Sequence, residues 1–317
     1  MENKIAISVV VPVFNEVGNI KVLVDRIILA LSSLNSSYEI IFIDDGSTDG
    51  TYELLHVMRS NNANIKSIHF SRNFGHQAAI NAGIESSAGE IVVTMDADLQ
   101  HPPELIPKMI EELKKGYDII LTERVENKEK NKIHAILGAI FYRILNIMSD
   151  FEIRANVADF NVYSRQVVEQ LKQLPEKDRF VRGLVQWVGF TKKYIPYEAG
   201  KRYTGVSKYT LSKMIKLAIS GITSFSAFPL RLAWWVGLAM SFGSFVYGIF
   251  ILVDYFLYRS HLVSGWTSII IVVLFSGGVQ LIILGIIGEY LAKMFYEIKG
   301  RPLYIIKEFN GIDKNSQ

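Results

Sequence analysis

The sequence predicts a doubly wound α/β domain that is followed by interfacial helices and a hairpin of two transmembrane helices. Three observations lead to this prediction. Short apolar runs alternate with helical patterns in the N-terminal part, polar segments follow these runs, and two long uncharged stretches lie near the C-terminus. In a chain of 317 residues, this organisation indicates one domain with an attached membrane segment.

The elements follow one another in a regular order. Apolar, β-branched runs predict strands at 5–13, 39–43, 65–70, 91–94, 117–121 and 192–196. Apolar residues at helical spacing predict helices at 20–31, 52–59, 76–86, 103–115, 133–148 and 178–188, with a charged loop at 125–132. Because strands and helices alternate, the sheet is expected to be parallel, with its ligand beyond the carboxyl ends of the strands.

Polar segments follow four of these strands. They cover 12–16, 44–49, 72–75 and 96–100. Since the carboxyl ends of parallel strands meet at one edge of a sheet, we expect these segments to converge on one crevice.

Asp96 and Asp98 form the most informative of these segments. They come directly after a buried strand, where carboxylates are costly unless a cation lies nearby. Because successive side chains of an extended chain point to opposite sides, Asp96 and Asp98 point to the same side, and the Gln100 carbonyl lies on that side too. Oxygen donors of this kind suit Mg²⁺ or Mn²⁺. The alternative is a strand-end turn with two solvated aspartates, and the convergence of the polar segments favours the metal site.

Cationic side chains and a further carboxylate complete the expected crevice. Arg124 follows a strand, and Arg202 and Lys208 lie on either side of a glycine. All three can bind phosphate, although a solvated arginine and a basic patch that faces lipid headgroups are the alternatives. Asp159 begins a strand-like run and is a second candidate acidic group, with a turn aspartate as its alternative.

Composition excludes several classes of protein. The chain has no cysteine, which excludes disulfides and thiolate metal sites. A net charge of +3, without a basic tract interleaved with aromatic residues, gives no support for a nucleic-acid partner. The apolar run at 5–13 contains Pro12 and lacks a cleavage site of small residues, so it is not expected to be a signal peptide.

The two uncharged stretches cover 232–253 and 262–288, and each is longer than the roughly 20 residues that cross a bilayer. We expect transmembrane helices at about 232–254 and 263–288, preceded by an amphipathic helix at 211–228 in the membrane interface or packed on the core. Lysine and arginine on both flanks place these flanks in the cytoplasm. Small residues in the second helix can allow subunits to associate: Gly277, Gly278, Gly285 and Gly288.

The order and spacing of the polar segments resemble those of the family-2 glycosyltransferases. The matching segments are 12–16, 44–49, 72–75, 96–100 and 205–209. More narrowly, the chain resembles the polyprenyl-phosphate glycosyltransferases, which include bactoprenol glucosyltransferases and dolichyl-phosphate mannose synthases. The resemblance covers about residues 5 to 305 and implies a GT-A-type domain at 1–200, a juxtamembrane region at 201–230, two transmembrane helices within 231–290 and a cytoplasmic tail at 291–317.

The resemblance also implies roles for individual residues. The nucleotide base and ribose would be held by Pro12, Phe14, Glu16, Ile43 and Asp45. The metal and the diphosphate would be held by Asp96, Ala97, Asp98 and Gln100. Phosphates of the donor or acceptor would be contacted by Arg124, Arg202 and Lys208. The expected catalytic set consists of Asp159, which matches the family's catalytic base, with Asp98 and Arg202.

Asp159 is also where the sequence departs from the family pattern. The family often reads Asp-Thr-Gly-Asp-Phe, whereas Asn156 and Ala158 here replace the first aspartate and the glycine. A phosphate monoester has its second pKa near 6, so the acceptor oxygen is mostly deprotonated at cytoplasmic pH. We therefore hypothesise that Asp159 orients the acceptor, a basic side chain or the metal shell and takes no proton.

The implied reaction is a metal-dependent, inverting transfer of a sugar to a polyprenyl phosphate of the undecaprenyl type at the cytoplasmic face of the plasma membrane. The hairpin favours glucose from UDP-glucose, and GDP-mannose and UDP-N-acetylglucosamine are the alternative donors. A non-catalytic membrane subunit that binds sugar nucleotides is an alternative of another class. A processive synthase with a polysaccharide channel is disfavoured, because only two spans are expected.

Overall fold

The structure is a computed structural model that describes residues 5–125, 146, 154, 157–174, 176, 181–198, 200, 227–258 and 265–312. The chain forms two compact units. The first comprises residues 1–146, 151–213 and 302–317, and the second comprises 147–150 and 214–301. The predicted loop at 125–132, the helix at 133–148 and the juxtamembrane segment up to residue 226 lie almost wholly outside the described residues.

An eight-stranded mixed sheet forms the centre of the first unit. Its strands are β1 (Ile7–Val13), β2 (Tyr38–Asp44), β3 (Ile65–Phe70), β4 (Ile91–Thr94), β5 (Ile119–Arg124), β6 (Val157–Ser164), β7 (Lys192–Tyr197) and β8 (Ile306–Asn310). The strand order is β7-β5-β6-β4-β1-β2-β3-β8. Among the described strands, β6 and β8 run antiparallel to their neighbours and the other pairings are parallel.

Helices cover both faces of the sheet. They are α1 (Val17–Ser32), α2 (Thr51–Asn61), α3 (His76–Ser86), a 3₁₀ turn (Pro103–Leu105), α4 (Ile106–Lys114), α5 (Arg165–Gln173) and α6 (Val181–Trp187). Apolar residues of α1 at helical spacing, including Ile20, Leu23 and Ile27, share one core with Val9 and Val11 of β1. Val10 points to the opposite face, where α3 packs, because side chains alternate along a strand.

The predicted α/β fold class is confirmed, and the sheet differs from the expected parallel one in its antiparallel strands. Residues 159–163 of β6 are buried in succession, as residues of the parallel strands of this sheet are, so the burial pattern of β6 does not reveal its direction. The segment 291–317, expected as a tail, contains β8 at the edge of the sheet. Tyr304 stacks on Phe70 with ring centroids 4.9 Å apart. This contact fixes the position of the chain just before β8.

The second unit contains two long apolar helices, α7 (Phe228–Tyr258) and α8 (Trp266–Ile298). By length and composition, Phe228–Phe250 and Val272–Ile298 are candidate membrane spans. Their large side chains are exposed, as for Phe242 at 68% and Leu281 at 71%. An exposed apolar surface of this extent is typical of helices that face lipid.

Gly83 of α3 provides a test of the packing between α3 and the sheet. A Cβ atom at this position would lie 2.2 Å from Val10 Cγ1 and 2.6 Å from Ile43 Cδ1. We predict that Gly83→Ala lowers the free energy of unfolding by about 1–3 kcal/mol, because α3 must move away from the sheet. Gly18→Ala in α1 is the control, since no described atom lies within 4 Å of a Cβ there. A melting temperature of detergent-solubilised Gly83→Ala at or above that of the wild type would contradict the prediction.

Candidate functional site

A cavity of about 440 Å³ opens at the carboxyl ends of β1, β2, β3 and β4. The edge is the one at which the sequence predicts a crevice. The cavity is lined by Pro12, Val13, Phe14, Glu16, Asp45, Asn73, Gly75, His76, Ala79, Asp96, Ala97, Asp98 and Asp159. Residues from four separate strand ends therefore share one cavity.

The loops after β1 and β2 are held together by side-chain hydrogen bonds. Asn15 has a positive φ of 59°, its backbone N–H donates to Ser47 Oγ at 2.9 Å, and its Oδ1 accepts from the Thr48 N–H at 2.8 Å. The N–H of Glu16 donates to Thr51 Oγ1 at 3.0 Å. These contacts fix the backbone from which Phe14 and Glu16 reach the cavity.

Asp45 connects the loop after β2 to the loop after β3. Its carboxylate accepts hydrogen bonds from the N–H groups of Phe74 at 2.6 Å and Gly75 at 2.9 Å. Burial raises the pKa of Asp45, and these two hydrogen bonds partly oppose that change. Gly46 adopts a φ of +74°, and a Cβ there would lie 2.7 Å from the Arg72 carbonyl carbon, so the close approach of the loops requires glycine.

The acidic loop follows β4 with the predicted alternation. Met95, Ala97 and Leu99 are buried, whereas Asp96, Asp98 and Gln100 are partly exposed. The loop then turns sharply, since Leu99 has a φ of +62° and the Gln100 N–H donates to Asp98 Oδ1 at 3.1 Å.

His76 lies between two carboxylates of this cavity. Its Nε2 atom is 3.2 Å from Asp96 Oδ1 and 3.4 Å from Asp159 Oδ2. Burial lowers the pKa of His76, but the interactions with Asp159 and Asp96 outweigh it and raise the pKa to about 10. Burial raises the pKa of Asp96, but the hydrogen bond with His76 and the electrostatic interactions with His101 and His76 outweigh it and keep the pKa below its usual value. The imidazolium therefore provides the positive charge that the two aspartates need.

The donors around His76 also fit a divalent cation. The ligand atoms of His76, Asp96 and Asp159 all lie within 4.8 Å of one another. Asp96 Oδ1 is buried and makes no hydrogen bond of good geometry with the described residues, so it has coordination capacity left. Carboxylate oxygens and one imidazole form a donor set that Mg²⁺ or Mn²⁺ accepts, and His76 would lose its extra proton to serve as a ligand.

The structure gathers most, but not all, of the predicted residues. The cavity is lined by Pro12, Phe14, Glu16, Asp45, Asp96, Ala97, Asp98 and Asp159. Ile43 is buried in β2 and is not part of the lining. Gln100 also lies outside it, where its Oε1 accepts from Arg124 at 3.3 Å and its carbonyl accepts from the Gly200 N–H at 3.1 Å. Arg202 and Lys208 are outside the described residues.

Sequence reasoning missed His76 and Asn73 on the lining and His101 directly behind it. Asn73 belongs to a segment that was predicted to reach the crevice, and His76 begins the helix that follows this segment. The signal for His76 was therefore its place just after a strand-end loop, because residues at the start of such a helix face the same edge.

Comparisons with known proteins give a consistent result. The Glycosyl transferase family 2 model matches residues 8–172. The chain is 42% identical over 313 residues to the uncharacterized glycosyltransferase YkcC of Bacillus subtilis (strain 168), covering 99% of this chain and 97% of the relative. It is 38% identical over 302 residues to the SfII prophage-derived bactoprenol glucosyl transferase of Shigella flexneri, covering 95% and 97%.

A solved structure shows a more distant similarity. The glucosyl-3-phosphoglycerate synthase from Mycobacterium tuberculosis, in complex with phosphoglyceric acid, aligns with a TM-score of 0.49 and 19% sequence identity. The alignment covers 69% of this chain and 79% of that chain.

Asp45 provides a test of how the cavity is held together. In Asp45→Asn an amide NH₂ replaces one of the oxygens that accept from Phe74 and Gly75. We predict a loss of about 1–3 kcal/mol in the free energy of unfolding, because a partly buried N–H loses its acceptor. Asp25→Asn on the exposed side of α1 is the matched control, with an expected change within about 0.5 kcal/mol. Equal melting temperatures for the two variants would refute this role of Asp45.

Proposed function

Because the chain belongs to glycosyl transferase family 2, we propose that it transfers a hexose from a nucleoside diphosphate sugar to a polyprenyl phosphate. The observation that carries the proposal is that Asp96, Asp98 and Asp159 share one cavity with the loops after β1 and β2. The acceptor class is supported by the relatives named bactoprenol glucosyl transferases, which match 95% of this chain, including α7 and α8.

The nucleoside is proposed to bind at the wall formed by the loops after β1 and β2. Phe14 has a ring that is 45% exposed and can stack on a base. The carboxylates of Glu16 and Asp45 can accept hydrogen bonds from ribose hydroxyls or base N–H groups. Pro12 lines the same wall, and Ile43 supports it from within β2.

The diphosphate is proposed to lie at the opposite wall, beside Asp96 and Asp98. These residues, with Asp159 and His76, would hold Mg²⁺ or Mn²⁺. When bound, the cation would neutralise the diphosphate leaving group as its bond to the sugar breaks. Gln100 lies outside the lining of this cavity and its Oε1 accepts a hydrogen bond from Arg124, so we assign it to holding Arg124.

Phosphate binding is assigned to three cationic residues. Arg124 keeps donors available beside its bond to Gln100, since a guanidinium has five N–H groups. Arg202 and Lys208, outside the described residues, are proposed to bind the phosphates of donor or acceptor, with Arg202 in the catalytic set.

Asp159 is proposed to orient reactants. Its side chain is buried at 7% exposure and ion-paired with His76. The acceptor phosphate needs little help from a base, because its second pKa is near 6. A single displacement with inversion at the sugar is the expected stereochemical course.

UDP-glucose is the proposed donor, and GDP-mannose and UDP-N-acetylglucosamine are the alternatives. The names of the relatives support glucose as the transferred sugar. The proposed location is the plasma membrane with the catalytic unit in the cytoplasm. The two candidate spans and the basic residues at both ends of the helix pair support this location. The glycines of α8 are proposed to allow association between subunits.

Lipid labelling tests the reaction and the donor. Membranes containing the chain are incubated with Mg²⁺ and each of the three radiolabelled sugar nucleotides, and the lipid extract is counted. We predict label from UDP-glucose, reduced roughly a hundredfold by Asp98→Asn because the diphosphate loses part of its electrostatic stabilisation. Asp25→Asn is the control and should retain full labelling. Absence of lipid label with all three donors would overturn the proposed function.

A pH profile tests the role of Asp159. We predict that Asp159→Asn lowers kcat about a hundredfold at every pH between about 6 and 9, because orientation is lost whatever the protonation state of the acceptor. Recovery of near-full activity by the variant at high pH would instead identify Asp159 as a general base.

A further inference from the structure

His101 is a buried histidine to which the proposed reaction assigns no role. Its side chain is 6% exposed, and its Nδ1 atom accepts a hydrogen bond from the backbone N–H of Asp96 at 3.0 Å. With Nδ1 as the acceptor of this hydrogen bond, Nε2 carries the ring proton. Nε2 lies 3.8 Å from Oδ2 of the same aspartate. One imidazole thus faces both the backbone and the carboxylate of Asp96.

The ring of His101 is fixed from the other side by aromatic contacts. It stacks on Phe160 with centroids 5.3 Å apart and an interplanar angle of 17°. Tyr197 meets it edge-on at 5.8 Å and 71°. Phe160 is fully buried and directly follows Asp159 in β6. His101 therefore connects the loop that carries Asp96 to the strand that carries Asp159.

The backbone of the acidic loop makes this contact necessary. β4 ends at Thr94, so the N–H of Asp96 lies beyond the described pairing of β4 with β1. The left-handed turn at Leu99 brings the chain back so that His101 reaches this N–H. A buried N–H without an acceptor is costly, and the loop would otherwise move to satisfy it.

We propose that His101 is a positioning residue that holds Asp96 in the orientation in which it binds the metal ion and diphosphate of the donor. The proposal rests on the proposed function, because it assigns the purpose of that orientation. The role requires a hydrogen-bond acceptor for the Asp96 N–H at the position of His101 Nδ1. An aromatic ring that stacked in the same way without this acceptor would not fill the role.

Two amide variants separate these features. The side-chain oxygen in His101→Asn can occupy the place of Nδ1, whereas the longer side chain in His101→Gln brings its amide to the place of Nε2. Both variants lose the ring stack, so a difference between them reports the position of the acceptor. The measurements are Mn²⁺ affinity in the presence of UDP by electron paramagnetic resonance, donor KM and kcat, and melting temperature, all on the full chain in detergent.

We expect His101→Asn to bind Mn²⁺ within about threefold of the wild type and His101→Gln to bind it roughly tenfold more weakly, with donor KM following the same order. Equal Mn²⁺ affinity of the two variants would overturn the proposal, whether both match the wild type or both are weakened. The Mn²⁺ comparison needs neither a sugar nor a lipid. Absence of lipid labelling by the wild type would therefore overturn the proposed function without deciding the role of His101.

A measurement on the wild type covers the case in which a variant does not fold. Amide hydrogen exchange at single-residue resolution should show protection of the Asp96 N–H, since His101 accepts its hydrogen bond. Exchange of this amide as fast as in an unstructured peptide would refute the contact on which the proposal depends.

Discussion

Mutual repulsion of carboxylates is the constraint on which the site depends. Two like unit charges 4 Å apart repel by about 4 kcal/mol at an effective dielectric constant of about 20. Asp96 and Asp159 both approach one nitrogen of His76, and the imidazolium offsets that repulsion. The interaction between His76 and Asp96 raises the pKa of the histidine and lowers the pKa of the aspartate. A cluster that needs a cation to exist is, for the same reason, suited to bind a divalent metal.

The loops that face this cluster are held from behind by a chain of contacts within the first unit. Asp45 points toward the cavity and accepts hydrogen bonds from backbone N–H groups. Asp44 points away from the cavity, and its Oδ2 atom lies 2.7 Å from His69 Nδ1. Tyr52 packs against His69 at 4.5 Å between ring centroids and donates to Glu308 at 2.5 Å. Glu308 belongs to β8, so the segment that follows the second apolar helix supports the loops after β2 and β3.

The sequence predicted the features that follow from local residue patterns. It did not predict the features that depend on pairing between segments far apart in the chain. The family, the α/β class and the crevice followed from runs such as Ile91–Thr94 and from polar residues at strand ends. The direction of β6 did not follow, because a buried strand can pair in either direction. The docking of β8 did not follow, because this short strand of mixed polarity is only partly buried. His76 and His101 were missed because a single histidine has no periodicity, and its role appears only when folding brings a carboxylate to it.

One of the two departures from the family pattern near Asp159, the alanine at position 158, has a structural explanation. The backbone at Ala158 is not left-handed, since the positive φ angles of the described non-glycine residues lie at Asn15, Asn35 and Leu99. A glycine is therefore not required at this position. Thr94 Oγ1 donates to the Asp159 carbonyl at 2.9 Å, and the side chain of Asp159 is already engaged by His76. Thr94 thus holds the backbone of Asp159 and His76 holds its carboxylate, an arrangement that fits the proposed role of this residue in orienting the reactants.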